Sequence, residues 1–460
     1  MTKLIHMNAF EMNCVGHLAH GLWRAPDNER HRYTELEYWI ELAKLLEEGM
    51  FDAVFLADVV GVYDIYRQSK DPAVRDAVQI PNNDPFLVVP VMASVTKHLG
   101  FAVTSSTTYD SPFSHARRIS TLDHLTKGRI GWNIVTSHLP NAAKNFGLDA
   151  MVRHDERYRI ADEYLEVCYK LWEGSWDDDA VIRDKENGVY TDPSKVRYIH
   201  HSGSNFKVAG PHLSEPSLQR TPVLYQAGTS PSGRAFAARH AECVFLEAFT
   251  LNDLKRHSED IRSQAVQYGR KPEDIKMFTG LSVIVGRTKE EAQRKFDQYR
   301  HLLSVEGMLT HYGGASGYDL SAYERDNYLP RKESDHIQSS ANRFTDKQGE
   351  GARTVGQIID SLGALDSRGL LAVGTPEEVA DQLQYWVEKT GIDGFNLRQF
   401  VSPGTFRDFI ELVVPELQRR GVYRKKYDRG TFRERLFGEG TRRLPGRHPG
   451  AVYRSFSYPR

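Results

Sequence analysis

Cysteine is scarce in this chain. Cys14, Cys168 and Cys243 are its only three thiols among 460 residues, they lie far apart, and no two form a C-x-x-C pair. A disulfide framework or a zinc ribbon would need more cysteines at closer spacing, so the composition fits a reducing compartment. Cys168 and Cys243 lie in apolar patterns, and we expect both to be core residues.

Long apolar runs and an export signal are also missing. No run approaches the ~18 apolar residues that a membrane helix needs, and the first residues lack a charged segment followed by an apolar one. Sixty Lys and Arg residues nearly balance 61 Asp and Glu residues, which leaves a formal net charge of -1 and no field that attracts nucleic acid. We therefore predict a soluble, cytoplasmic protein that binds neither nucleic acid nor a membrane.

Several nucleotide and metal motifs do not occur. Without G-x-G-x-x-G or G-x-x-x-x-G-K-[ST], no Rossmann or P-loop site is indicated. His17, His20, His138 and His311 invite a metal interpretation, to which Asp58 could add a carboxylate, but there is no H-E-x-x-H or comparable signature. We predict no metal. Each histidine is then either a structural residue or an imidazole that exchanges protons with a bound ring system or oxygen species.

What the chain does have is short apolar runs that alternate with helical patterns. Continuous apolar runs are typical of parallel strands covered on both faces, and eight of them favour a TIM (β/α)8 barrel over an open α/β sheet. The predicted strands are Leu4–Ala9, Asp52–Ala57, Leu99–Ser105, Ile130–Thr136, Pro222–Ala227, Glu242–Leu246, Lys276–Val285 and Gly394–Phe400. The predicted helices are Tyr33–Glu48, His154–Trp172, Leu251–Tyr268, Lys289–Leu303, Glu377–Lys389 and Thr405–Arg419.

Two segments interrupt this repeat. Residues 173–220 are rich in Asp, Gly, Ser and His and suggest a small hairpin, whereas residues 304–374 form a longer polar excursion. Long loops in compact enzymes are usually lids or disordered segments. We predict one barrel domain over residues 1–445 that carries both insertions, followed by a C-terminal extension at 446–460.

Polar residues follow five of the predicted strands, at the end of a barrel where catalytic groups collect. The segment Ala227–Ser230 leads directly into a helix and suggests anion binding, because glycine permits close approach and a helix start offers free N–H groups. An ordinary serine N-cap is the alternative. The common barrel phosphate site follows strands seven and eight, whereas this segment follows the fifth.

One continuous stretch, Ser114–His138 (SHARRISTLDHLTKGRIGWNIVTSH), closely resembles the signature of the bacterial-luciferase-like flavin monooxygenases. Within that family it is similar to the nitrilotriacetate and dibenzothiophene-sulfone branch. Other segments agree, and the resemblance extends from about Lys3 to Pro445. These segments are Asn8–His17 (NAFEMNCVGH), Phe51–Asp58 (FDAVFLAD), His154–Tyr158 (HDERY), Tyr225–Ser230 (YQAGTS) and Gly391–Leu397 (GIDGFNL).

The resemblance implies a TIM barrel that binds FMN, delivered in its reduced form by a separate NAD(P)H-dependent flavin reductase, in a homodimer or homotetramer. Reduced flavin would meet O2 and form a C4a-(hydro)peroxide, which puts one oxygen atom into a small apolar substrate. The first expectation for that substrate is a long-chain alkane, hydroxylated at its terminal carbon. The alternatives are a sulfur compound, such as dimethyl sulfide or a sulfone, and another xenobiotic.

The family pattern also implies site residues. Asp58, Thr136, Ser137 and His138 would line the flavin ring and ribityl chain. The phosphate would be held by Tyr158, Ala227, Gly228, Thr229 and Ser230.

The catalytic pocket would be formed by Cys14, His17, Tyr63, Gln79, His138 and His311. His138 or His311 would handle a proton, and His17, Tyr63 and Gln79 would position the peroxide. On residue chemistry alone, Cys14 is either a nucleophile or a partly buried thiol. The segment 304–374 would be a lid that excludes water. The chain departs from the alkane-oxidising members in the polar stretch Thr345–Arg353 and beyond Pro445.

Three other functions stay open at this point. A relative on the same barrel could use deazaflavin F420 and move hydride without oxygen. A flavin-binding oligomer could lack turnover, although the set of polar pocket residues argues against it. An unrelated metal-dependent barrel hydrolase is the third possibility, but this sequence has no metal-ligand signature that would support it.

Overall fold

Eight parallel strands close into a barrel, which confirms the predicted fold. The computed structural model describes residues 3–248, 250–331, 335–345 and 352–455. Within these ranges the strands are β1 (His6–Met12), β2 (Ala53–Ala57), β3 (Gly100–Ser106), β4 (Ile130–Val135), β5 (Val181–Asp184), β6 (Val189–Thr191), β7 (His201–Ser202), β8 (Lys207–Val208), β9 (Val223–Ala227), β10 (Cys243–Leu246), β11 (Lys276–Val285), β12 (Leu370–Gly374) and β13 (Gly394–Arg398). Around the barrel the order is β1-β2-β3-β4-β9-β10-β11-β13, and β13 pairs with β1.

Helices pack around the outside of the barrel. In the same ranges they are α1 (Leu36–Glu48), α2 (Asp71–Arg75), α3 (Val89–Ser94), α4 (Pro112–Thr126), α5 (Pro140–Asn145), α6 (His154–Tyr169), α7 (Pro231–His240), α8 (Leu251–Gln267), α9 (Lys289–Leu302), α10 (Val305–Ser316), α11 (Gln338–Asn342), α12 (Val355–Leu362), α13 (Pro376–Thr390), α14 (Gly404–Asp408), α15 (Val414–Arg419) and α16 (Phe432–Phe437). Each predicted helix overlaps one of these. None of them is long and apolar enough to span a bilayer.

Each of the eight predicted strands lies in the barrel, but the end of β1 differs. The strand continues to Met12, with Glu11 opposite Leu56 and Met12 opposite Ala57 of β2. In the sequence, the acidic residue Glu11 resembles the end of a strand, because a carboxylate is unfavourable in a buried strand. The buried carboxylate of Glu11 is accommodated in β1 because Arg30 forms a salt bridge with it at 2.6 Å.

A ninth parallel strand, β12, extends the sheet outside the barrel, in a segment for which no strand was predicted. β11 has ten residues, and its second half reaches beyond its barrel neighbours, where Leu281–Val285 pairs with Leu370–Gly374. The predicted insertion at 304–374 thus contains α10, α11, α12 and β12. Of the polar stretch Thr345–Arg353, residues 346–351 lie outside the described residues, as do 456–460 of the predicted extension.

The amino-terminal end of the barrel is closed by α16. Phe432 stacks on Tyr225 of β9 with ring centroids 6.2 Å apart, and a Cβ on Gly100 would lie 2.8 Å from the Phe432 ring. Aromatic side chains of β1, β2, β9, β10 and β11 fill the interior above it. Because this end is packed shut, ligands can enter the barrel only at the carboxyl ends of the strands.

Candidate active site

A group of polar side chains lies at the carboxyl ends of the strands, where the loops after β1 and β2 meet α10. The Tyr63 hydroxyl donates to Oε1 of Gln79 at 2.9 Å, and Nε2 of Gln79 donates to the carbonyl oxygen of His17 at 2.8 Å. The ring of His311 lies 4.8 Å from that of Tyr63. The structure therefore brings together four residues that were predicted from distant parts of the sequence.

Close packing holds α10 against this group. Every residue from Gly307 to Ser316 is buried. A Cβ on Gly314 would lie 2.3 Å from a carbon of the Tyr63 ring, so glycine is needed for the helix to approach. His311 thus projects from a packed helix within the segment that we predicted as a lid.

The loop after β1 is held in place by one buried arginine. Arg30 contacts Glu11 and also donates from Nη2 to the carbonyl oxygens of Met12 at 2.7 Å and Cys14 at 2.8 Å. Burial raises the pKa of the Cys14 thiol to about 12, although Arg30 opposes the shift. Cys14 is therefore a neutral thiol near pH 7, which favours the interpretation as a buried thiol over that as a nucleophile.

The histidines of the site are uncharged. Burial, together with the charges of Arg30 and Arg398, holds the pKa of His17 well below its ordinary value. Burial and nearby Arg368 do the same for His311. Each ring then offers one donor and one acceptor. Within the described ranges, no three histidine, cysteine or acidic side chains are arranged to hold a metal ion.

His138 follows β4 in a strained loop. Ser137 before it has a φ of 59° and donates from its hydroxyl to Oγ of Ser106 at 2.8 Å. Burial lowers the pKa of His138 to about 3, and its ring centroid lies 6.4 Å from that of Tyr63. In the part of the chain that the structure describes, Nε2 of His138 is buried without a hydrogen-bond partner, which leaves a site for a ligand.

Asp58 lies at the end of β2, and its carboxylate accepts from Nδ2 of Asn82 at 2.9 Å. Burial raises the pKa of this carboxyl group to about 7, and the charge of Asp84 adds to the shift. The folded chain therefore binds this proton more tightly than the unfolded chain, in which an aspartate titrates near ~3.9. The stability that Asp58 contributes is present at low pH and is lost as the pH rises through about 7.

Asp58→Asn should therefore stabilise the chain at pH 8, by on the order of 2–4 kcal/mol, and have little effect at pH 4. The amide keeps the acceptor for Asn82 but cannot ionise. Urea unfolding of the wild type and the variant across this range measures the difference. Asp52→Asn is the control of opposite sign, because Arg424 and His6 lower the pKa of the buried Asp52 carboxyl group. A difference for Asp58→Asn that does not change with pH would contradict the prediction.

A polar cradle lies where β9 leads into α7. Ser230 caps the helix by accepting the N–H of Gly233 at 3.1 Å, so the N-cap interpretation is correct. Glycine is needed at two positions here, because a Cβ on Gly228 or Gly233 would lie 2.9 or 2.8 Å from the Tyr158 hydroxyl. The backbone at the start of α7 can therefore approach this hydroxyl closely, which places two kinds of anion-binding donor side by side.

Arg157 is a site residue that the sequence interpretation missed. It is buried in the wall of the cradle and donates to the carbonyl oxygens of Val152 and Asp335, each at 2.6 Å. A basic residue directly before Tyr158, in a segment that carries the family resemblance, was the available signal. Its charge and the α7 N-terminus suit a phosphate group. His154 and Gln226 line the same cavity.

Two cavities lie at this end of the barrel. The cradle opens into a cavity of about 230 Å³ that also contains Thr136, Ser137 and His138 in its wall. A second cavity, of about 540 Å³, is lined by Asp58, Gln79 and Ser106. The Ser137–Ser106 hydrogen bond joins the walls of the two cavities. All predicted cofactor residues therefore line one or the other cavity, and the polar cradle lies in the wall of the smaller one.

Comparison with known proteins shows the family to which this chain belongs. The profile described as luciferase-like monooxygenase matches residues 20–394. The chain is 62% identical to the long-chain alkane monooxygenase of Geobacillus thermodenitrificans (strain NG80-2) over 458 residues, which covers 99% of each protein. It is 48% identical to the dimethyl-sulfide monooxygenase of Hyphomicrobium sulfonivorans over 458 residues, which covers 99% of this chain and 94% of the relative.

Solved structures of relatives have the same fold. The crystal structure of long-chain alkane monooxygenase superposes with a TM-score of 0.93 and covers 99% of this chain and 100% of that one. A riboflavin lyase, solved with modified FMN and riboflavin, is 39% identical, also has a TM-score of 0.93, and covers 99% of this chain and 100% of its own. The similarity therefore extends over the barrel, both interrupting segments and the site.

Proposed function

Because this chain belongs to the luciferase-like monooxygenase family and is a flavin-dependent monooxygenase, we propose that it hydroxylates the terminal carbon of a long-chain alkane with reduced FMN and O2. The observation that carries this proposal is the 62% identity to a long-chain alkane monooxygenase, which extends over 99% of the chain and so includes every site residue. A separate NAD(P)H-dependent reductase would supply the reduced FMN, as the family resemblance implies.

The residues of the cradle would bind the phosphate of FMN. The Ser230 hydroxyl and the N–H of Ser232 in the first turn of α7 would donate hydrogen bonds to it, Tyr158 would contribute its hydroxyl, and Arg157 would neutralise charge. Asp58 and the segment Thr136–His138 line the cavities on the way to the ring. Bound reduced flavin supplies the electrons with which O2 is activated.

The catalytic side chains would act as neutral groups. Nε2 of His138 has no hydrogen-bond partner in the described ranges, so this atom can accept or donate a hydrogen bond to a ligand. The Tyr63–Gln79 bond and the anchor of Gln79 on the His17 carbonyl hold this side of the pocket rigid. The close packing of α10 against Tyr63 would help to exclude water, which would limit the wasteful release of hydrogen peroxide.

Oxidation of a sulfur compound is the second candidate function. It is supported by the 48% identity to a dimethyl-sulfide monooxygenase. Our predictions of a cytoplasmic location and of a homodimer or homotetramer remain predictions, and light scattering on the purified chain tests the oligomeric state.

One assay separates these functions. The purified chain is mixed with FMN, NADH and a generic flavin reductase, and product and oxygen uptake are followed with long alkanes, dimethyl sulfide, alkyl sulfones and aminopolycarboxylates. We expect hydroxylated alkane in proportion to the NADH consumed, and catalase should not lower the yield. Oxidation of dimethyl sulfide alone would replace the alkane proposal, and binding and reduction of F420 with no oxygenated product would refute the monooxygenase chemistry proposed here.

A further inference from the structure

Two histidines from distant parts of the chain form a buried pair beside the pocket. Nε2 of His20 lies 2.8 Å from Nδ1 of His311, which is a hydrogen bond. His20 is fully buried and His311 is 5% exposed. The rings are tilted by 43° with centroids 5.1 Å apart. The family pattern assigned no role to His20, which the sequence left as either a structural residue or a proton-exchanging imidazole.

We propose that His20 is a positioning residue that donates its Nε2–H to Nδ1 of His311 and thereby holds His311 in the tautomer with a proton on Nε2. His311 is then a hydrogen-bond donor toward the pocket and not a base. Only the identity of the ligand that receives this hydrogen bond rests on the proposed function.

One proton lies in the hydrogen bond between the two rings, and the pair carries no net charge. Burial lowers the pKa of His20 to about 3, and Arg368 adds to the shift. The groups that face His311 are Arg368, the neutral rings of His17 and His138, and the hydroxyphenyl ring of Tyr63. No carboxylate among the described residues forms an ion pair with either ring of the pair, so nothing compensates an imidazolium there.

The direction of the hydrogen bond follows from the far nitrogen of His20. Its Nδ1 is buried without a partner among the described residues, and a Cβ on Gly16 would lie 3.5 Å from it. If His311 were the donor, this Nδ1 would carry a proton with no acceptor. Buried N–H groups without a partner are rarer than buried acceptors without one. With His20 as donor, each ring also has its proton on Nε2, the intrinsically favoured position in neutral histidine.

The outer nitrogen of His311, Nε2, is the one that remains for a ligand. Its Nε2 forms no hydrogen bond within the described ranges, and this atom is not completely shielded from solvent. A proton on this atom would donate to an acceptor oxygen on the ligand. Because Nδ1 is already occupied by His20, His311 cannot take up a proton there, which leaves His138, with an unpartnered Nε2 among the described residues, as the histidine for proton transfer.

Nitrogen NMR of the flavin-free, full-length chain reads the tautomer directly. With ¹⁵N-histidine labelling, the His311 signals are assigned among the 18 histidines by comparison with His311→Gln. We expect a protonated Nε2 and an unprotonated Nδ1 at pH 7. A protonated Nδ1, or an imidazolium with both nitrogens protonated, overturns the proposal. This reading needs no substrate and no turnover, so it can fail or succeed independently of the monooxygenase assay.

Two variants separate positioning from packing. His20→Gln keeps an N–H donor near the Nε2 position, whereas His20→Met fills a similar volume without one. We expect His20→Met to give mixed His311 tautomers and about fivefold less product per NADH, since a hydrogen bond contributes about 1 kcal/mol. His20→Gln should retain the tautomer and most of the yield. Loss of yield in both variants while the wild-type tautomer of His311 persists would show that packing alone is affected, and would overturn the positioning role.

Discussion

Ser230→Asp should weaken FMN binding by about a thousandfold while the fold stays intact. A carboxylate at the N-cap of α7 would lie beside the phosphate. Two like charges ~4 Å apart at an effective dielectric constant of about 20 repel by about 4 kcal/mol, and each 1.4 kcal/mol is about tenfold in affinity. Aspartate is itself a good N-cap, so the N–H of Gly233 keeps its acceptor. Fluorescence titration with FMN measures the affinity, and circular dichroism confirms the fold.

The matched control is Thr288→Asp. Thr288 caps α9 by accepting the N–H of Glu291, as Ser230 caps α7, but it lines neither of the two cavities at the carboxyl ends of the strands. It adds the same charge at the same kind of position, and FMN affinity should not change. If Ser230→Asp bound FMN as tightly as the wild type, the phosphate would have to lie outside the cradle.

Arg30→Met should destabilise the chain by about 3–5 kcal/mol, because it leaves a buried carboxylate without its partner. Arg30 is 4% exposed and Glu11 is fully buried. Burial already raises the pKa of Glu11, and Arg30 opposes that shift. Without the arginine the pKa of Glu11 rises further, so the variant should regain stability as the pH is lowered and Glu11 takes up a proton. Urea unfolding at pH 5 and pH 8 measures this trend.

The same variant should expose Cys14, because Arg30 also holds the carbonyl oxygens of Met12 and Cys14. All three cysteines are buried in the wild type, so faster labelling by a thiol reagent reports the released loop. Arg32→Met is the control, since Arg32 pairs with exposed glutamates and its loss should change stability little. The double variant Glu11→Met, Arg30→Met should recover part of the loss. Equal stability of Arg30→Met and the wild type would mean that the pair does not anchor the loop.

The barrel was predictable because its strands are local features of the chain. Continuous apolar runs that are separated by helical segments have few structural alternatives to buried parallel strands. All eight predicted strands lie in the barrel. β12 was missed because Leu370–Gly374, although a short apolar run, lies inside the segment that was interpreted as an insertion. It exists because β11 extends past its neighbours and offers free backbone groups to Leu370–Gly374, and a pairing of that kind cannot be read from either segment alone.

The candidate site was partly predictable for the same reason. Ser230 carries a local signal, a helix cap after a strand, and the structure shows that cap. Arg157 carries only a weak local signal, its place directly before Tyr158, since its importance depends on where α6 places its guanidinium group in the cavity wall. Protonation states depend even more on the fold. Asp58 and Cys14 have raised pKa values because the surrounding chain removes water from them.

The sequence by itself determined the barrel, the family, the loops that carry the site and the flavin chemistry, because each depends on residue order or on a contiguous motif. Only the tertiary structure decided which side chains meet. It set His20 against His311, Arg30 beneath Cys14 and Arg157 against Asp335. These contacts join positions that are separated along the chain. Their charges and tautomers follow from burial, which is a property of the packed molecule and not of any segment.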